Sequence, residues 1–226
     1  MTDILKSFEF GENNDVKLDI RYDDFPWHPW HHMDMSGQLD SWGERAGFVP
    51  FLRDKILGRG NSDAKGFTCE EGVREWLDDL ESQGKWGVAF GIYCYGDCNN
   101  TMRLLTDIDW SDACCDGVIY TDFDMFRKWV GDKHEGMTDD DRIAHAKYLL
   151  KCEYKLLDQY MSGDVYYGVL FRRCDHCQSW VDKDSICGFY GCSDEVELAG
   201  IILDHFDLTP EERQSFNNKF AAETVV

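Results

Sequence analysis

Two blocks of β-forming residues, each followed within a few residues by a second candidate strand, constrain this chain most. Trp86–Tyr95 (WGVAFGIYCY) is followed by Thr101–Asp107, and Val165–Phe171 (VYYGVLF) by Ser179–Asp182. Both first members are rich in aromatic and β-branched residues, which suit a pleated, half-buried surface. Connections this short join antiparallel strands, because a parallel pair needs a crossover of a dozen residues or more. The expected fold is therefore α+β, a mostly antiparallel sheet with flanking helices.

Further elements fit that frame. Val16–Tyr22 (VKLDIRY) alternates apolar and polar residues as a half-buried strand does, and Gly117–Tyr120 (GVIY) reads as a short buried strand. Thr68 is placed to cap a helix over about Cys69–Gln83, and Thr121 one carrying Phe123, Phe126 and Trp129. The strongest helix signal spans Asp139–Met161. Thr138 precedes it, three Asp fill its first turn, and Ile143, Ala146, Leu150, Tyr154 and Leu157 form an apolar stripe. Ser193 is expected to cap a helix to about Phe206, and Thr209-Pro210-Glu211-Glu212 to start the last one. With no Gly/Ser-rich or Pro-rich tract in 226 residues, a single domain is expected over 1–226. Its less regular part, about 1–84, would pack on an α+β core of about 85–226.

The chain carries 44 Asp and Glu against 23 Lys and Arg, a formal charge of -21. A field of that sign repels nucleic acid and anionic membrane and attracts basic protein surfaces. Neither a secretory leader nor a membrane-spanning apolar run is visible, so a cytosolic location is expected. The acids are segregated. Leu104–Asp141 contains Asp107, Asp109, Asp112, Asp116, Asp122, Asp124, Asp132, Glu135, Asp139, Asp140 and Asp141 against only Arg127, Lys128 and Lys133. Asp184–Glu212 contains Asp194, Glu195 and Glu197 among its acids, with no Lys or Arg. Between the runs, Arg142–Arg173 is locally basic. Acids held on rigid elements can imitate phosphates, which B-DNA presents at about one charge per 1.7 Å of axis; the alternative is a solvated surface that serves solubility.

Ten cysteines in a chain expected in a reducing compartment point to thiols or metal ahead of disulfides. Cys174-Asp-His-Cys177 followed by Cys187 and Cys192 is the best zinc candidate, since a CxxC supplies two tetrahedral ligands and the second pair, or His176, would complete the set. Cys94, Cys98, Cys114 and Cys115 form a second group, but adjacent Cys114 and Cys115 would point to opposite faces of a strand. His28, His31, His32 and Asp34 offer ligands without a familiar spacing. Asp107 and Asp109 share one strand face and, with Asp112 or Asp116, could bind Mg²⁺ for phosphoryl chemistry. No Walker loop, GxSxG elbow or HExxH helix is present.

Four stretches, WGVAFGIYCYGD (86–97), DGVIYTDFDMFRKW (116–129), EYKLLDQYMSGDVYYGV (153–169) and DSICGFYG (184–191), together resemble an uncharacterised family associated with bacteriophages and other mobile elements. They occur in the family's order and cover most of Trp86–Gly191. Asp97-Cys98-Asn99-Asn100 stands where the family reads DHSG, Cys114-Cys115-Asp116-Gly117 where it reads WDSG, and DSICGFYG where it often reads DSCWGFYG. The first departure removes a His that could have been catalytic. The resemblance implies a small phage accessory protein and brings no activity with it.

The expectation from charge and resemblance together is a non-enzymatic, phage-encoded inhibitor without a cofactor. It would bind a basic host protein, such as a nuclease or other defence factor, in place of nucleic acid. The alternatives are a zinc-stabilised interaction module at Cys174, Cys177, Cys187 and Cys192, or a metal-dependent enzyme at Asp107 and Asp109.

Overall fold

The computed structural model describes residues 4–26, 38–41, 65–67, 69–94, 102–105, 117–131, 136–192 and 194–220. Its contacts gather into two compact units, Met1–Pro26 with Gly163–Val226, and Trp27–Ser162. The division expected near residue 84 is corrected by this arrangement. The first 26 residues share a sheet with the C-terminal part of the chain, and the second unit is inserted between them in sequence. Every strand pairing among the described residues is antiparallel, which makes the fold α+β as expected.

In the first unit the sheet order is β1 (Ile4–Phe10), β2 (Val16–Tyr22), β7 (Val165–Arg173), β8 (Trp180–Tyr190). The alternation that marks β2 in the sequence sends Val16, Leu18 and Ile20 to one face, where they are buried with Phe8 and Phe10 of β1. Helices α4 (Glu195–Leu203) and α5 (Pro210–Phe220) cover that face through Leu198, Ala199, Ile202, Leu203 and Phe216. Phe216 meets Phe8 and Phe10 edge to face, with ring centroids 5.8 and 5.5 Å apart, an arrangement favoured by the ring quadrupole. Strand β1 carries no punctuating residues and was not anticipated from sequence; its Ser7 and Glu9 alternate with the buried Phe8 and Phe10.

Strand β8 is much longer than the expected Ser179–Asp182. Two register shifts against β7 absorb extra residues, one of them Gly188, whose φ of 91° suits a bulge in which only glycine is unstrained. Asp182, Lys183 and Asp184 stand exposed on this edge strand, where charge discourages further pairing.

The second unit has the sheet order β3 (Gln38–Ser41), β6 (Gly117–Asp122), β4 (Gly87–Cys94), β5 (Met102–Leu105). Successive β4 residues serve opposite faces. Val88, Phe90 and Ile92 pack with Phe126 of α2 (Phe123–Val130) and with Ala146, Leu150, Leu157 and Met161 of α3 (Asp139–Ser162). Ala89 packs with Val73, Trp76 and Leu77 of α1 (Glu70–Ser82). The expected hairpin partner of β4 is confirmed by the pairing of Gly91 with Leu105 and of Cys94 with Met102.

Three expected caps are corrected. Strand β6 continues through Thr121, so Asp122 caps α2 by accepting from Met125 N at 2.8 Å. Helix α1 has Cys69 at its N-cap, with no side-chain cap bond, and Thr68 lies outside the described residues. Asp194, not Ser193, caps α4 by accepting from Val196 N and Glu197 N at 2.8 Å each. Thr138 and Thr209 cap as expected, each in reciprocal bonds with an acid three residues on, Asp141 and Glu212.

Gly168 of β7 allows α4 to approach the sheet. A Cβ there would lie 2.4 Å from Ile202 Cγ2 and 3.2 Å from Leu18 Cδ1, both on fully buried side chains with no room to retreat. Gly168→Ala is expected to cost about 1–3 kcal/mol through overpacking. Urea unfolding should show a lower midpoint with an unchanged slope.

Candidate functional site

An exposed row of acids lies on α1. Its thirteen residues, EEGVREWLDDLES, contain six acids and one base. Val73 and Leu80 are buried and Trp76 and Leu77 half-buried, so the inward stripe is apolar and Glu71, Glu75, Asp78, Asp79 and Glu81 are left exposed. Glu71, Glu75 and Asp79 recur every four residues and so form one row, about 6 Å apart along the axis. No salt bridge among the described residues holds Glu71, Glu75, Asp78 or Glu81, while Asp79 accepts from Gln83 Nε2 at 2.8 Å. The acid-rich runs at 104–141 and 184–212 do not include this helix, although its exposed acids all fall off the apolar stripe of EEGVREWLDDLES.

The acids singled out from sequence have more varied roles. Asp107, Asp109, Asp112 and Asp116 lie outside the described residues, as do His28, His31, His32 and Asp34. Asp122 is corrected from surface ligand to buried cap, 6% exposed, with Lys65 Nζ 3.7 Å away. Asp124 is exposed but paired to Lys85 at 2.7 Å, and this partner raises the Lys85 pKa. Asp139, Asp140 and Asp141 are exposed at the start of α3; Asp139 binds Arg142 at 2.7 Å, Asp141 completes the Thr138 cap, and Asp140 has neither duty. In the other unit Asp194 is a cap, Glu195 lies 3.2 Å from Lys6 Nζ, and Glu197 is exposed. An open depression of about 1030 Å³ in that unit is also acidic, lined by Glu12, Asp15, Glu211 and Glu212 together with Lys219.

The four cysteines proposed for zinc do not converge. Cys174 and Cys177 lie in the β7–β8 turn. Cys187 pairs opposite Tyr167, seven residues along β7 from Cys174, which is about 24 Å at about 3.4 Å per residue. Cys192 lies beyond the far end of β8 and packs against the sheet core. No group of three or more His, Cys, Asp or Glu that could hold a metal occurs among the described residues.

Two carboxylates are engaged in structure instead of display. Asp19 of β2 is 1% exposed and accepts from Ser7 Oγ at 2.7 Å, Arg21 Nη2 at 3.0 Å and Lys17 Nζ at 3.3 Å. Burial pushes its pKa up, but the Ser7 and Arg21 hydrogen bonds and the Lys17 charge outweigh burial and hold it below the usual carboxylate value. Lys17 Nζ also stands 4.4 Å from the centre of the Phe171 ring, which fixes the cation over the sheet. Glu212 receives a two-pronged pair from Arg172; there too the effect of burial is outweighed, by Arg172 and by the Thr209 N–H, and its pKa is lowered.

Comparison with family models, with curated proteins and with solved structures returns no match to this chain. Among the described residues no helix is long and apolar enough to cross a membrane.

The lowered carboxyls set a direction for acid sensitivity. Unfolded Asp and Glu titrate near 4, above the folded values of Asp19 and Glu212, so the unfolded state takes up protons first as pH falls. Their contribution is complete above about pH 5 and is lost below it as pH drops through the folded values. Asp19→Asn should therefore be less stable at neutral pH and lose stability less steeply between about pH 5 and pH 3. Urea midpoints at stepped pH measure both.

Proposed function

We propose that this protein is an acidic binding protein of phage or mobile-element origin that occupies the nucleic-acid-binding surface of a basic host protein, such as a defence nuclease, and inhibits it without chemistry at that contact. The observation that carries this reading is the outer face of α1. Five exposed acids, Glu71, Glu75, Asp78, Asp79 and Glu81, against the exposed Arg74 leave four net negative charges over about 20 Å of helix. That is about one per 5 Å, against one per 3.4 Å along a single nucleic-acid strand.

A rigid helix held to its sheet by Val73, Trp76 and Leu77 presents these charges without the entropy loss of ordering a flexible acidic tail. A groove of Lys and Arg built for phosphates meets carboxylates at a comparable pitch, and long-range attraction accelerates the encounter. Exposed Asp140 of α3 adds negative charge to the same unit. The resemblance of the 86–191 region bears on phage or mobile-element origin alone.

Pull-down from bacterial lysate with tagged full-length protein, read by mass spectrometry, tests the reading. A basic nucleic-acid-binding protein should be retained at about 50 mM salt and at least about tenfold depleted at 200 mM. It should be depleted equally by Glu71→Lys with Glu75→Lys and Asp79→Lys, with circular dichroism showing the triple variant folded. Retention unaffected by salt and by this variant would overturn the proposal.

A further inference from the structure

The cysteine pair at the tip of the β7–β8 hairpin is arranged for chemistry that the acidic surface does not use. Cys174 leaves β7 one residue after Arg173, and the chain closes at once: Cys174 N donates to Ser179 O at 2.9 Å, and Gln178 N donates to Cys174 O at 2.9 Å. Gln178, at a φ of 60°, turns the chain back into β8. The second bond, from residue i+4 to residue i, is one turn of helix, and such a turn brings side chains three positions apart to about 5–6 Å between Cβ atoms. Native disulfides hold Cβ atoms about 3.5–4.5 Å apart, so closing a bond between Cys174 and Cys177 requires the turn to draw them together by about 1–2 Å.

The two thiols differ in access. Both are free; Cys177 is exposed, and Cys174 is half-buried at the base of the turn. Hydrogen bonds from the Ser179 side chain, the Ser179 backbone and the Cys174 thiol lower the Cys177 pKa. Asp175 and His176 complete the turn, and the Arg173 guanidinium at its base lies 4.5 Å from the centre of the Trp180 ring. An accessible, stabilised thiolate with a second thiol in reach behind it is the arrangement that thiol–disulfide exchange requires.

We propose that Cys174 and Cys177 form a redox-active dithiol that reduces small-molecule disulfides, with Cys177 as attacking sulfur and Cys174 as resolving sulfur. Cys177 thiolate attacks one sulfur of the disulfide, forming a mixed disulfide and expelling one thiolate. The Cys174 thiol loses its proton and attacks Cys177 Sγ, forming the intramolecular bond and expelling the second thiolate. The two protons given up by the cysteines end on the two product thiols, and the protein is oxidised by two electrons. A dithiol reductant returns it to the starting state by the reverse exchange.

The other described cysteines supply internal references. Cys69 and Cys152 are exposed but have no cysteine within three residues, and Cys192 has its pKa raised, first by burial. Reduced full-length protein is mixed with glutathione disulfide, quenched by alkylation at intervals and mapped by peptide mass spectrometry. The wild type should lose two hydrogens in the 174–177 peptide with no lasting glutathione adduct. Cys174→Ser should instead hold one glutathione on Cys177, formed at least about tenfold faster than on Cys69 or Cys152. Cys177→Ser should leave Cys174 unmodified over the same interval, with circular dichroism confirming that both variants are folded. A lasting adduct on wild-type Cys177, reaction no faster than at Cys69 and Cys152, or a turn that binds zinc and is inert to glutathione disulfide would each overturn the proposal.

Discussion

The pairing of β2 with β7 is the contact on which the first unit depends. Seven successive residue pairs, from Val16 opposite Arg172 to Tyr22 opposite Tyr166, join strands separated by roughly 140 residues of sequence. While those intervening residues are unfolded, closing a loop of that length costs about 4 kcal/mol. What offsets it is burial: Val16, Leu18 and Ile20 enter one core with Tyr166, Leu170 and Ile202. Strand β1 has only β2 to pair with and β8 only β7, so this central pair is what joins the two local hairpins into one sheet with one face for α4 and α5 to cover.

Much of the local structure was legible in the sequence because its causes are local. Alternation in VKLDIRY gave β2 its bounds, and Thr138, the three Asp and the apolar stripe marked α3. Errors came where a longer-range cause prevailed. Pairing with β4, which sets Val88 opposite Thr121 and Gly87 opposite Asp122, carries β6 through Thr121 and moves the cap of α2 to Asp122. Pairing with β7 draws the charged, unpatterned residues around Asp184 into β8. Two remote segments sharing one sheet left no mark in composition, so the chain read as one domain with an irregular start.

The candidate surface was less legible than the fold. Net charge announced an acidic protein, yet the same residue type caps a helix at Asp122, neutralises cations at Asp19 and stands free on α1 at Glu71 and Glu75. Which role an acid takes depends on what packs around it, and only helical periodicity, applied to EEGVREWLDDLES, would have separated the α1 row beforehand. The cysteines teach the same lesson in reverse. Cys174 and Cys177 fall between the strands expected at Val165–Phe171 and Ser179–Asp182 and share their turn, whereas the register that takes Cys187 and Cys192 away from them belongs to a strand longer than expected.

The order β1-β2-β7-β8 has a further meaning once the inserted residues are set aside. Strands adjacent in the sheet would then be consecutive in the chain, and the unit would read as a plain up-and-down meander followed by two helices, among the simplest antiparallel architectures. The second unit thus occupies the place of a single hairpin loop, between Tyr22 and Val165. Loops of that kind are the sites at which chains accept whole domains with least disturbance to their surroundings. The molecule is built as a guest within a host, and the guest can change in length or surface without altering the ladder that carries it.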